Sequence, residues 1–197
     1  MKKTCYLFIF PGFSDWEASY ATVGISLSDR YEVKTIAIQK TMVKSLGGMS
    51  VLPDYDFIPE VDLKDINSFN TGIVILPGGT AWEKGSNKEI EPLVRHCLEN
   101  GIPVAAICGA TVFLADHHWL NDRAHTSNDL GYLHAMSSSY RGHDFYLEKL
   151  SVRNGNLITA NGTAPVEFAK DIFGVLGINN EESVKEWFQY FEKAVVQ

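Results

Sequence analysis

The sequence predicts an α/β fold built on a mostly parallel sheet, and three observations predict it. Thr4 to Phe10, Gly72 to Leu76 and Pro103 to Ile107 are apolar runs without alternation, the pattern of strands buried on both faces. Stretches with helical spacing of apolar residues lie between them. The runs end in short loops of small residues, Pro11-Gly12, Pro77-Gly78-Gly79 and Cys108-Gly109. In parallel sheets such loops leave the carboxyl ends of the strands along one edge, where ligands bind.

Thr4 to Phe10 opens the sheet. Asp15 to Ser28 reads as a helix, with Trp16, Tyr20, Val23 and Leu27 on one stripe and Ser14 or Asp15 as N-cap. Tyr31 to Ile38, carrying Val and Ile, completes a strand-helix-strand unit. Met42 to Tyr55, with Gly47-Gly48 between β-capable segments and Pro53 and Pro59 close by, reads as a hairpin excursion. Gly72 to Leu76 is the next buried strand. Lys88 to Asn100 is the clearest helix: Ile90, Leu93, Val94, Cys97 and Leu98 make one apolar stripe, and Gly101 stops it.

Pro103 to Ile107 is again a strand and runs into a helix over Ala110 to Asp116. Beyond Trp119 the pattern loosens; Arg123 to Thr126 reads as a short strand and Ser137 to Asp144 as a polar loop. Tyr146 to Ala160 is a hairpin turning at Asn154-Gly155. Helices over Ala164 to Leu176 and Glu182 to Val196 follow, parted by Gly177 and Asn179-Asn180. Trp187, Phe188, Tyr190 and Phe191 on the last helix suit core packing, with a dimer surface as the other use. No repeat or linker interrupts the chain, and its 197 residues suit a single domain, 1–197.

The formal net charge is −7 and the Lys and Arg residues are scattered singly, which argues against a nucleic-acid partner or a polybasic membrane patch. Three cysteines, Cys5, Cys97 and Cys108, make no disulfide framework and no zinc spacing, and fit a reducing, cytoplasmic setting. Lys2-Lys3 before an apolar run resembles an export leader, but Pro11-Gly12 breaks the run, and Asp15 and Glu17 stand where a cleavage site is small and neutral. The uncharged stretch Pro103 to Ala115 is too short to span a bilayer as a helix.

Chemistry should gather on the three strand-end loops. Cys108 lies between Ala106 and Ala110 with Gly109 directly after it, the small-residue setting of a nucleophile elbow. The elbow would put sulfur at a helix N-terminus, whose partial positive charge favours thiolate. A buried cysteine closing a strand is the competing use. Glu17 shares that edge; burial near Trp16 and Phe13 would raise its pKa and let it donate a hydrogen bond to sulfur. Gly78-Gly79 lets backbone approach a ligand, and with the Gly109 N–H it could form an oxyanion hole. Of six histidines, His125 in Arg123-Ala-His-Thr-Ser-Asn128 is favoured slightly over His143 as base. Cys5 and Cys97 belong to the core.

At these residues the chain resembles the ThiJ/PfpI family. The resemblance runs through the first strand and Glu17, Leu76-Pro-Gly-Gly79, Ala106-Ile-Cys-Gly109, His125, the Asn154-Gly155 hairpin, Thr159-Ala-Asn-Gly162 and Glu167-Phe-Ala169. It implies a flavodoxin-like three-layer αβα sandwich. It also implies Cys108 as nucleophile, Glu17 as its protonated partner, Gly79 and Gly109 as backbone donors, no metal or other cofactor, and a cytosolic homodimer. In the protease-like branch of that family a histidine directly follows the cysteine; here Gly109 takes that place, so a protease-type triad is not carried over. The glyoxalase-like branch places its histidine later, and His125 is read as the match. The glutamine amidotransferase pattern, also related, is missing; His143-Asp144-Phe145 does not supply it.

The expected function is therefore a cofactor-free cysteine enzyme acting on small reactive carbonyls, of glyoxalase or deglycase type. A cysteine hydrolase acting on peptides and a redox sensor or holdase without turnover are the alternatives.

Overall fold

The computed structural model describes residues 2–57 and 63–195. Pro59 and Val196 lie outside the described residues. Strand β1 (Lys3–Phe8) leads to helix α1 (Ser19–Leu27) and strand β2 (Tyr31–Ala37). The short strands β3 (Val43–Lys44), β4 (Ser50–Val51) and β5 (Tyr55–Asp56) follow, then β6 (Thr71–Leu76) and the one-turn helix α2 (Thr80–Glu83). Next come α3 (Glu91–Glu99), β7 (Val104–Ile107) and α4 (Ala110–Asp116). The chain continues through α5 (Leu130–Met136), β8 (Ser151–Asn154), β9 (Leu157–Ala160), α6 (Pro165–Leu176) and α7 (Glu182–Val195).

Seven strands form one sheet in the order β5-β2-β1-β6-β7-β9-β8, parallel except for β8 against β9, and β3 pairs with β4 as a separate antiparallel hairpin. Side chains alternate across the sheet as strand geometry requires. Phe8, Val74, Leu76, Val104 and Ala106 enter one core with α3 and α4. Cys5, Ile73, Ile75, Ala105 and Ile107 enter the other with α1, α6 and α7. Helices therefore cover both faces, the three-layer sandwich expected. All six residues of β6 and all four of β7 are buried. At about 2 kcal/mol for each large aliphatic side chain, these two strands anchor the molecule.

The helix stripe assigned to Trp16, Tyr20, Val23 and Leu27 is corrected. Trp16, Val23 and Leu27 are 46%, 43% and 40% exposed, and the buried face of α1 is Ala21, Gly24 and Ile25. A Cβ on Gly24 would lie 2.2 Å from the Phe173 ring, so α1 sits on α6 through its smallest residues and its bulkier ones are left outside. Helical geometry also begins later than expected, after Ala18; Asp15 is not its cap but accepts hydrogen bonds from the Ser45 hydroxyl and the Gly47 amide. That grip, with Gly12 N–H to Lys44 O (2.8 Å) and Leu46 N–H to Phe13 O (2.9 Å), fixes the β3–β4 hairpin against the loop after β1.

The segment Arg123–Thr126 forms no full strand, only a bridge between His125 and Tyr146. Helix α5, capped by Asp129 accepting from Tyr132 N–H at 2.7 Å, was not expected. The hairpin at Asn154-Gly155 is present, with Gly155 at φ +60°. On α7, Phe188 is buried against Phe173, and Trp187 and Phe191 pack on Tyr20, while Tyr190 is exposed. No helix among the described residues is long and apolar enough to cross a membrane.

Candidate active site

Three central parallel strands, β1, β6 and β7, release their loops along one edge, and those loops meet at Cys108. Its backbone has φ +56°, a left-handed conformation that costs a side-chain-bearing residue about 1 kcal/mol or more. The turn is held from both sides. Cys108 N–H donates to Ala160 O of β9 at 3.0 Å, and Cys108 O accepts from Thr111 N–H (3.0 Å) and the Thr111 hydroxyl (2.6 Å). The strand cannot continue straight, and the half-buried sulfur is displayed where it turns into α4.

Space around the elbow is made by glycines. A Cβ on Gly78 would lie 2.7 Å from Cys108 Cβ and 2.7 Å from a Glu17 oxygen. On Gly162 it would lie 2.9 Å from Cys108 Sγ, and on Gly109 2.8 Å from Gly79 O. Gly79 has φ +143°, where side chains are rarely tolerated. Trp82, buried among Phe8, Phe10 and Phe113, donates from its indole to Pro77 O at 2.8 Å and so pins the Pro77–Gly79 loop. The Gly109 amide hydrogen faces Cys108 Sγ. Gly79 N would be 3.4 Å from a Cβ on Gly109, so the two loops pack closely against each other.

Glu17 is 0% exposed. One carboxyl oxygen accepts from Gly78 N–H at 2.5 Å; the other is buried without a formed hydrogen bond and faces the side chains of Ser14 and Cys108. Burial pushes this carboxyl up to about 7, although the Gly78 amide and the Cys108 and Ser14 side chains pull against that rise. The Cys108 thiol is pushed up to about 11, first by burial and then by the Glu17 charge beside it. This runs against the expectation of a thiolate favoured by the helix terminus and by a protonated Glu17. Two adjacent buried anions are costly, so Glu17 ionises first, at about 7, and the Cys108 thiol keeps its proton well beyond that. In that contact the thiol is the proton-bearing side: it steadies the Glu17 carboxylate, and sulfur stays a thiol until a base takes its proton.

His125 has a different task from the one expected. It is 0% exposed, its Nδ1 is 2.8 Å from Arg123 O and its Nε2 is 2.7 Å from the Tyr140 hydroxyl. Burial lowers its pKa, so the imidazole stays neutral and fastens this segment to the Tyr140 loop. His143 is exposed and paired with Asp144. The residue that the segment brings to sulfur is Asn128, missed by sequence reasoning. Its amide nitrogen is 3.5 Å from Cys108 Sγ, while its Oδ1 accepts from Gly162 N–H at 3.0 Å and its backbone oxygen from Asn161 at 2.7 Å. The signals available were the Asn128-Asp129 cap signature before α5 and a glycine at the carboxyl end of β9.

Among the described residues no cluster of three or more His, Cys, Asp or Glu side chains could hold a metal ion. Cys5 and Cys97 are fully buried, and burial pushes both thiols up to about 12. Mild hydrogen peroxide is therefore expected to oxidise Cys108 before either of them. Peptide mass spectrometry after brief exposure reads the order, and equal oxidation of all three would remove the distinction drawn between them.

The model of the DJ-1/PfpI family matches residues 3–174 of the chain. The chain is 35% identical over 195 residues to the "Uncharacterized protease YoaZ" of Bacillus subtilis, covering 95% of this chain and 90% of that one. It is 32% identical over 186 residues to the "Uncharacterized protease YdeA" of the same organism, covering 94% and 89%. Among solved structures, the DJ-1 superfamily protein Atu0886 from Agrobacterium tumefaciens superposes with a TM-score of 0.83 at 29% identity, covering 98% of each chain.

Proposed function

The chain belongs to the DJ-1/PfpI family, and from that premise we propose that it is a cysteine-dependent enzyme converting small 2-oxoaldehydes to 2-hydroxy acids. The observation that carries the reading is the buried Glu17 carboxyl beside Cys108, lifted to about 7, with the Gly109 amide at the sulfur and, among the described residues, an asparagine rather than an imidazole within hydrogen-bond reach of it. One carboxyl that can both accept and give a proton near pH 7 suits a reaction whose steps are proton shifts.

The thiol proton passes to Glu17 as sulfur attacks the aldehyde carbon. The carbonyl electron pair moves to oxygen, where the Gly79 and Gly109 N–H groups steady it. Glu17 protonates that oxygen, giving a hemithioacetal. The carboxylate so formed takes the proton from the former aldehyde carbon and gives it to the neighbouring carbonyl oxygen, making the enediol, and then moves the proton of the first hydroxyl to the neighbouring carbon. A thioester to Cys108 remains, and water hydrolyses it to the 2-hydroxy acid and free thiol. The net change is addition of one water, and no oxidant or cofactor is consumed. Three unpaired cysteines suit a reducing cytosol, where we place the reaction.

A peptidase reading is favoured by the names of the two Bacillus relatives, both called proteases. It would use the same nucleophile, with Glu17 as its only proton carrier. The two separate by assay: lactate formed from methylglyoxal, against release of labelled peptide from casein, each with and without prior alkylation by iodoacetamide. Alkylation-sensitive lactate without peptide release is the expected result. Peptide release with no lactate would replace the first reading by the second.

A further inference from the structure

Tyr132 takes no part in the steps above, yet its hydroxyl donates to Glu83 at 2.8 Å. The bond joins the two sides of the sulfur. Glu83 ends α2, the turn that starts directly after Gly79; Tyr132 lies in the first turn of α5, directly after Asn128 and its Asp129 cap. The Glu83 side is tied to Gly109 through the close approach of Gly79, and the Tyr132 side to Sγ through the Asn128 amide. Tyr132 is half-buried against the core, whereas Glu83 is exposed, so the phenol holds a carboxylate at the rim. Besides Glu83, the buried Glu17 carboxyl also bears on the Tyr132 hydroxyl, and both are acids.

We infer that Glu83, held by Tyr132, sets the charge preference of the site: it admits neutral or amine-bearing carbonyl compounds and repels those that carry a carboxylate. The inference rests on the carbonyl reading for its substrate class, but the selection acts on anything that approaches Cys108. Methylglyoxal would be taken in preference to glyoxylate, a 2-oxoaldehyde of similar size with a negative charge.

A pair of alkylating reagents tests this without turnover. Iodoacetamide and iodoacetate differ chiefly in charge, and labelling of the Cys108 peptide is followed by mass spectrometry, with a free small thiol giving the reference ratio. One unit charge at a protein rim should disfavour iodoacetate by roughly tenfold beyond that reference. Glu83→Gln should remove most of the difference and Glu83→Lys should reverse it. Tyr132→Phe, which frees the carboxylate to swing into solvent, should fall between, and 1 M salt should flatten the wild-type difference. A wild-type ratio equal to the reference, or a ratio indifferent to both Glu83 variants, overturns the inference. If the ratio follows Glu83 while methylglyoxal is inert, the carbonyl reading fails and the charge rule survives. If lactate forms and the ratio ignores Glu83, the reverse holds.

Discussion

Cys108→Ala is expected to lose methylglyoxal turnover by at least a thousandfold while melting within a few degrees of the wild type. The chemistry has no second nucleophile: Cys5 and Cys97 are sealed in the two cores with thiols pushed up to about 12. Alanine keeps the Cβ, so the φ +56° backbone carries the same penalty and the Ala160 and Thr111 hydrogen bonds are undisturbed. Cys108→Gly is the informative companion. It is equally inactive, but glycine takes a left-handed φ without penalty, and the variant should gain about 1 kcal/mol in denaturant unfolding. Turnover by Cys108→Ala within tenfold of wild type would move the reaction elsewhere. A Cys108→Gly variant no more stable than Cys108→Ala would mean that the elbow is not strained.

Glu17→Gln separates the nucleophile from the proton carrier. Glutamine preserves an acceptor for the Gly78 amide and an N–H directed at sulfur, but it cannot move a proton, so turnover should drop by roughly 10²- to 10⁴-fold. Alkylation of Cys108 should persist, because loss of the carboxylate removes the charge and the hydrogen bond that, after burial, push the thiol up to about 11. Stability should change in a pH-dependent way. The native state holds the Glu17 proton up to about 7, while the unfolded chain releases it near 4.5. Between those values the native state binds more protons than the unfolded one, so wild-type stability falls as pH rises through that window and stays reduced above it. The variant escapes this loss and should gain about 3 kcal/mol on the wild type between pH 4 and pH 8. Urea unfolding at the two pH values measures the difference. No pH-dependent gain would mean that Glu17 is ionised at little cost, and its role as a proton carrier near neutral pH would go with it.

Much of this site was legible in the residues. Unbroken apolar runs located β1, β6 and β7, and parallel topology then required their loops to share an edge. Small neighbours marked Cys108 as a turn, and Gly78-Gly79 marked a close approach. Two things were not legible. Burial is a property of the assembled structure, so the helix dipole, which can be read from sequence, was credited with a thiol whose titration is governed by desolvation and by a carboxylate from another loop. Nor does the sequence show which side chain of the segment after the Cys108 helix reaches sulfur. His125 is favoured in the sequence by its place after the Cys108 helix and by the family resemblance, but the bridge to Tyr146 and the contact with Tyr140 fix where that segment runs, and they bring Asn128 to sulfur. The helix face of α1 failed for a related reason: close packing on Phe173 selected the smallest residues, whereas pattern reading selected the largest.

The amide of Cys108 is bonded to Ala160 at the interior of the seven-stranded sheet. Its reactive atom thus stands at the end of a strand paired on both sides, not on an edge strand or a surface flap. Heating offers no milder way of disabling such a protein. Inactivation and melting should coincide, and any conformational gating must come from the rim, because the floor cannot move without the whole architecture giving way.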